Sequence, residues 1–285
     1  MIDLIFCIIS STLVMVVFKI IERQKSDIFS AIVINYFTAV ILGMLMGGLP
    51  SHNLSEYRWL RISLLMGVLF VCVFFIIGMS TKKAGIAITS VTGKMSVILP
   101  ISFSILWFNE PVSTLKITGI VLTLISLVLI VYSPAIKKND EKIALALPIF
   151  LFFGVGIVDS IIKFAQETFI KGSDTILFST ITFLSAGVIG TVVWLIRRFC
   201  FRIKVRISLI WGIVLGIVNF GSLYFIIKAL DSRVADSSII FGLNCIGIVG
   251  LSVVLGLIFF GEKLTIMKKI GIGMAVISIL MLYYS

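Results

Sequence analysis

Apolar residues along this chain fall in long blocks, each closed by a short cluster of charged or turn-forming residues. A helix that crosses a bilayer needs ~20 mostly apolar residues. Ten blocks approach or exceed that length: 2–20, 28–48, 60–80, 84–108, 114–133, 143–165, 175–196, 207–228, 235–260 and 265–284. The connections are short, the longest being 49–59 and 197–206, so no soluble domain is expected between blocks. Barrel strands would be ~10 residues long and would alternate apolar with polar positions, and these runs do not. The pattern predicts an all-α polytopic membrane protein with ten transmembrane helices.

Composition sharpens this reading. The chain is 60% hydrophobic and 13% charged, with a mean hydropathy of +1.22; soluble domains carry about 25% charged residues, so a water-soluble fold is excluded. The first block follows Met1-Ile2-Asp3 with no basic region and no small-residue cleavage site, and reads as a retained helix. Cys7, Cys72, Cys200 and Cys245 lie in separate segments without metal or disulfide spacing, so no metal site or cofactor is expected. The formal net charge of +11 resides in short loops, which is a signature of membrane topology rather than of nucleic-acid binding.

The chain also repeats itself. Residues 84–133 align with 236–285 at an offset of 152: Phe108-Asn109-Glu110 with Phe260-Gly261-Glu262, Gly119-Ile120 with Gly271-Ile272, Ser126 with Ser278, and Tyr132-Ser133 with Tyr284-Ser285. Upstream, Phe75-Ile76-Ile77 matches Phe225-Ile226-Ile227. Two five-helix repeats are expected, 1–135 and 136–285, within one membrane domain. An odd number of helices per repeat inverts the second relative to the first, a design that puts a substrate site near the midplane between halves. Gly43-x-x-x-Gly47 and Gly212-x-x-x-Gly216 supply close-packing positions of a common kind.

Ten helices in two halves, with a fourth helix ending in an acidic turn that runs into a glycine-bearing fifth, resemble the drug/metabolite transporter superfamily, specifically its EamA-type members. The motif reads Leu106-Trp107-Phe108-Asn109-Glu110-Pro111 and again Leu257-Ile258-Phe259-Phe260-Gly261-Glu262-Lys263. The resemblance spans essentially the whole chain. It implies a central cavity lined by helices 1–4 and 6–9, with helices 5 and 10 peripheral. Members move amino acids, sugars, nucleotide sugars, phosphorylated metabolites, quaternary amines and drugs, driven by exchange or an ion gradient, so the resemblance fixes no substrate.

Of the 24 Lys and Arg, sixteen sit in odd-numbered loops and seven in even-numbered ones; the remaining one is Lys94. The positive-inside rule then puts the odd loops in the cytoplasm and both termini outside, in the inner (plasma) membrane. Many EamA relatives are drawn the other way round.

Lys94 interrupts the block 84–108, about ten residues or ~15 Å of helix rise from the basic end at Lys82-Lys83. A charge at bilayer depth costs ~2.5–3.5 kcal/mol on insertion scales, and such residues face a bundle interior or water. Ser90 lies one turn earlier, Gly93 thins the helix beside the charge, and Pro100 is placed to kink it further on. The expected role is to hold an anionic group of a small-molecule substrate, or to change protonation during the cycle. The bland alternative is a lysine neutralised by a carboxylate for bundle specificity. Its repeat mate is Ile246, so the site is asymmetric.

Asp159 and Lys163 stand one turn apart in the sixth block, suited either to an intrahelical ion pair or to a gate, with Asp159 approaching Lys94. Asn35 and Tyr36, Asn219 and Tyr224, and the repeat-related Thr92 and Asn244 are the other polar side chains at depth. Each serves a substrate or, more simply, an interhelical hydrogen bond worth ~0.6 kcal/mol on average. Glu110 and Glu262 read as structural turn residues, and His52 lies in a loop. No nucleophile, P-loop or zinc-protease motif occurs, so no catalytic residues are expected. The chain reads as a secondary transporter, with export favoured, of a small polar, anionic metabolite, coupled to a proton or counter-substrate, acting as a monomer or dimer in the lipid bilayer. The alternatives are a flippase for a lipid-linked sugar or other amphiphile and, less favoured, an intramembrane lipid-modifying enzyme.

Overall fold

A computed structural model describes residues 2–47, 57–100, 102–103, 113–131, 141–170, 174–199, 209–231, 237–261 and 264–284. The described residues form ten helices and no strand: α1 (Ile2–Arg23), α2 (Ile28–Leu45), α3 (Leu60–Ala84), α4 (Ile86–Met95), α5 (Thr114–Val131), α6 (Glu141–Thr168), α7 (Asp174–Phe199), α8 (Leu209–Asp231), α9 (Ser237–Phe260) and α10 (Ile266–Tyr283). Among the described residues, five stretches are long and apolar enough to cross a membrane: Ile2–Arg23, Ile28–Leu45, Leu60–Ala84, Asp174–Phe199 and Leu209–Ile226. Large apolar side chains lie on the outside as well as inside, among them Ile41, Leu65, Phe150, Val188, Ile213 and Ile258. In water such a surface would aggregate; against lipid it is the expected one. The chain has the makeup of a multi-pass helical membrane protein.

Local chemistry sets the helix ends. The Asp27 carboxylate caps α2, accepting from the Ser30 backbone N–H at 2.8 Å and from Ser30 Oγ at 2.7 Å. Gly85, at φ 97°, joins α3 to α4 through a backbone conformation that only glycine adopts readily, and Gly261, at φ 61°, ends α9 in the left-handed region.

The block 84–108 was expected to form one helix, kinked by Pro100. Instead α4 stops at Met95, a turn follows at Ser96 and Val97, and helical geometry resumes at Ile98–Pro100. Proline lacks an N–H, and its ring crowds the carbonyl four residues back. For Pro100 that carbonyl belongs to Ser96. The Ser96 carbonyl accepts instead from the Leu99 N–H at 2.9 Å, the Lys94 carbonyl accepts from the Val97 N–H at 3.3 Å, and Ser96 Oγ donates to the Gly93 carbonyl at 2.6 Å. The tightened i→i+3 pattern moves the break back to the lysine.

Neighbour to neighbour, the helix contacts close into a ring: α1, α8, α2, α7, α3, α6, α4, α9 and back to α1. Helices α5 and α10 pack mainly on each other and join the rest through α4 and α9. Close approach depends on small residues. At Gly212 and Gly216 of α8 an added methyl would run into Ile34 and Thr38 and crowd the backbone carbonyls of Ala31 and Asn35 on α2. Only the first glycine of the other pair packs, with Gly43 against Thr180 and Phe220, while Gly47 sits in a turn with open space around it. The main core runs from Phe18 and Ile21 through Tyr36, Trp59 and Met66 to Phe183 and Leu215.

Candidate functional site

Every residue of α4 is buried except Lys94, which keeps partial exposure. The most enclosed helix in the bundle therefore ends on a charged side chain that reaches accessible space. Two further observations locate that space. Gly93 is buried, yet among the described residues a methyl group built on it would meet no atom within 4 Å. Ser90 Oγ is buried without a hydrogen-bond partner among the described residues. At 100° per residue, Ser90, Gly93 and Lys94 share an arc of about 100° on α4. The opposite flank, Ile88, Val91 and Met95, packs into a separate apolar cluster with Phe152, Val249 and Ala275.

The break also stabilises the charge. Lys94 occupies the last turn of α4, where carbonyls without intrahelical partners give the helix its negative end, and a cation there is favoured by ~0.3–1 kcal/mol, more when partly buried.

Three other helices surround the ammonium. Lys94 lies within electrostatic reach of Asp159 on α6, Cys7 on α1 and Cys245 on α9. Among the described residues it forms no direct ion pair with Asp159. Helices α4 and α6 meet just past the break, where Leu99 fills the space that a side chain at Gly156 would need; Asp159 is the next turn of α6. Cys7 also donates to the Ser222 carbonyl at 3.3 Å and contacts Ser11 at 3.9 Å. Among the described residues, no group of three His, Cys, Asp or Glu could hold a metal ion.

A small, partly open pocket of about 20 Å³ lies between α3, α6, α7 and α8, with Phe70, Ile162, Phe178, Thr182 and Leu223 in its wall. Ile162 is one turn from Asp159, and Thr182 Oγ1 is buried without a partner. The pocket lies toward the end of the bundle where α3 and α7 begin. The opposite end is tied. Arg197 on α7 pairs with Asp27 at 3.4 Å and stacks over Phe29, while Trp194 Nε1 donates to Ser30 Oγ at 2.7 Å. Arg23 on α1 covers the Phe260 ring and donates to the Phe260 carbonyl at 3.3 Å, joining α1 to the end of α9.

The remaining candidate residues lie elsewhere or serve each other. Asn219 Nδ2 donates to Asn35 Oδ1 at 3.0 Å and Asn35 Nδ2 donates to the Ile32 carbonyl at 3.4 Å, so the two amides clasp α2 to α8. Tyr36 is fully buried among Phe74 and Phe183, with its hydroxyl unpartnered. Tyr224 packs between Phe220 and Phe225, near Lys228, which pairs with Asp3 at 3.4 Å. Thr92 sits about 160° around α4 from Lys94. Its hydroxyl and the Asn244 Oδ1 are both buried without a partner. The side chain of Lys163, the acidic turns at Glu110 and Glu262, and His52 lie outside the described residues. Cys7, Ser11 and Cys245 are what sequence reasoning missed around the lysine; as small, weakly polar residues in apolar runs they give no local signal.

No family model matches the chain. A protein of Haemophilus influenzae, described only as uncharacterized, is 30% identical over 290 residues, covering 99% of this chain and 97% of that protein. A match of that extent is full-length homology, and the chain belongs to the same family as the Haemophilus influenzae protein.

Proposed function

We propose that this protein is a secondary transporter of the EamA type within the drug/metabolite transporter superfamily. Its ten helices would all span the inner (plasma) membrane as two inverted repeats, 1–135 and 136–285. By alternating access it would export a small polar metabolite bearing an anionic group, coupled to a proton or a counter-substrate. The observation that carries this reading is Lys94: a cation at the interruption of α4, beside unfilled space, enclosed by α1 from its own half and by α6 and α9 from the other. Interrupted helices at midplane are where transporters of inverted-repeat design bind substrate.

The packing supports the repeat. Replacing each helix by the one five places away turns the α1–α8 pair into α3–α6, α2–α8 into α3–α7, and α1–α9 into α4–α6; α2–α7, α4–α9 and α5–α10 map onto themselves. The ties at one end and the pocket toward the other are what one state of an alternating-access cycle requires. With the odd loops cytoplasmic, the tied end faces the cytoplasm.

The test is reconstitution in liposomes with a panel of organic acids, amino acids, phosphates and amines, scored by counterflow. Uptake of an anionic solute by the wild type and its loss in Lys94→Ala is the expected result. Transport unchanged in the variant, or group transfer on a lipid without solute movement, overturns the reading. A fusion reporter at Ser285 tests orientation, with the non-cytoplasmic signal expected.

A further inference from the structure

We propose that the Lys94 site takes a zwitterion: a small solute with a carboxylate or phosphate that pairs with Lys94 and a protonated amine that pairs with Asp159. This rests on the transporter reading for how the site is used, but binding itself does not depend on it. Lys94 and Asp159 together make the site neutral. A bare anion drawn to Lys94 enters the unfavourable field of Asp159, and a bare cation meets the reverse. In a poorly solvated interior such terms are weakly screened, so the ligand that gains from both charges is the one that carries both.

The geometry leaves room for it. The two side chains lie on facing helices within electrostatic reach of each other, yet form no direct ion pair among the described residues. Contact between Gly156 and Leu99 fixes the approach of the two helices one turn away. No described residue fills the space beside Gly93, and the buried Ser90 hydroxyl, without a partner among the described residues and on the same face of α4 as the lysine, supplies a hydrogen bond to the ligand's anionic end. Cys7 and Cys245, which also lie within electrostatic reach of the ammonium, bring no competing charge as thiols.

Purified full-length protein in detergent is titrated with the twenty L-amino acids, β-alanine, taurine and phosphoethanolamine, following thermal stabilisation and calorimetric heat. Each binder is then retested with its amine acylated and with its acid group esterified. At least one zwitterion is expected to bind, with both derivatives weaker by roughly tenfold or more. Asp159→Asn should erase the discrimination against the acylated form while keeping that against the ester, and Lys94→Met should do the opposite. If the two residues only neutralise each other, the variants shift melting temperature and leave ligand preference unmoved, which overturns the proposal. So does the absence of any binder, or an acylated derivative binding wild type as well as its parent. The wild-type comparison stands even if a variant does not fold. Zwitterion binding without movement in liposomes sinks the transporter and leaves this site. Transport of simple anions with preference unaffected by Asp159→Asn sinks this site and leaves the transporter.

Discussion

Helices α4 and α9 align in sequence at an offset of 152 and pack against each other, but only one of them is whole. Helix α9 runs unbroken from Ser237 to Phe260, whereas α4 stops at Met95. At the offset of 152 the residues that break α4 have ordinary counterparts: Pro100 faces Ser252, Lys94 faces Ile246 and Gly93 faces Cys245. A serine keeps the N–H that a proline lacks, an isoleucine packs, and a thiol fills the volume that a glycine leaves open. The interruption and the charge therefore occur in α4 and are absent from α9, and the buried Gly93 stands where α9 carries the thiol of Cys245. Because α9 holds its place without them, the bundle does not need them, and their coincidence in α4 is what the proposed site rests on.

The largest expected effect comes from giving α4 its counterpart's residue. Lys94→Ile removes the charge-assisted contact to the ligand, worth ~1.5–3 kcal/mol, so affinity should fall roughly 10- to 100-fold. The fold should survive, since a charge costly at this depth is replaced by an apolar side chain. Counterflow and melting temperature measured on the same preparation check both halves of this statement. A variant that unfolds would show that the lysine holds the bundle together. The reciprocal change, Ile246→Lys, should destabilise without creating a second site, because α9 has no break to receive the cation.

Next in size are the two crossings that flank the site. Gly156 of α6 is filled against Leu99, just past the end of α4, and Gly247 of α9 is filled against Ile8 of α1. Alanine at either position overpacks a helix crossing and should cost about 1–3 kcal/mol. Gly156→Ala should also weaken ligand binding, because it forces apart the helices that carry Lys94 and Asp159. Gly247→Ala lies on the matching crossing but away from Asp159. Thermal denaturation separates their stability effects from titration of the ligand, and equal losses of binding in both would erase the distinction between the halves.

Pro100→Ser tests the break directly. With the N–H restored, the Ser96 carbonyl regains an i→i+4 donor and α4 can continue. Stability should rise by roughly 1 kcal/mol. Hydrogen exchange at residues 97–100 should slow and affinity should fall. Faster exchange, or undiminished binding, would show that the interruption does not shape the site.

How far the sequence announced all this depends on the kind of signal. Run length is local, so nine of the ten apolar blocks coincide with described helices to within a few residues, the exception being 84–108. The break in α4 was only half legible. Pro100 signals it, but the disturbed carbonyl lies four residues earlier, inside a run that stays apolar through Val97 and Leu99. Partner choice is not local at all. Asn35 and Asn219 were each candidates for a ligand, and only packing of α2 on α8 shows that they satisfy each other. Thr92 was grouped with Asn244 through the repeat as a candidate for a ligand, and helical geometry turns it to the far side of α4 from Lys94. Cys7 and Cys245 look like small hydrophobes until tertiary packing sets them around the ammonium.

The smallest effect on stability should come from filling the void, and it is the most discriminating change for the comparison of the halves. Gly93→Ala meets no atom within 4 Å, so nothing must move to admit the methyl. Alanine is the better helix former, by up to about 0.8–1.0 kcal/mol in a helix interior. Near the end of α4 the gain should be a few tenths of that range, and Gly93→Cys, which copies the residue at Cys245, should be close to neutral. Affinity should behave differently, falling stepwise from Gly to Ala to Cys as ligand volume is taken up, by about three- to tenfold at each step, the equivalent of ~0.7–1.4 kcal/mol. Melting temperatures that hold steady while dissociation constants climb would place the ligand beside Gly93. Affinity that ignores the added atoms would mean that the space belongs to solvent alone, and α4 would then differ from α9 in shape but not in use.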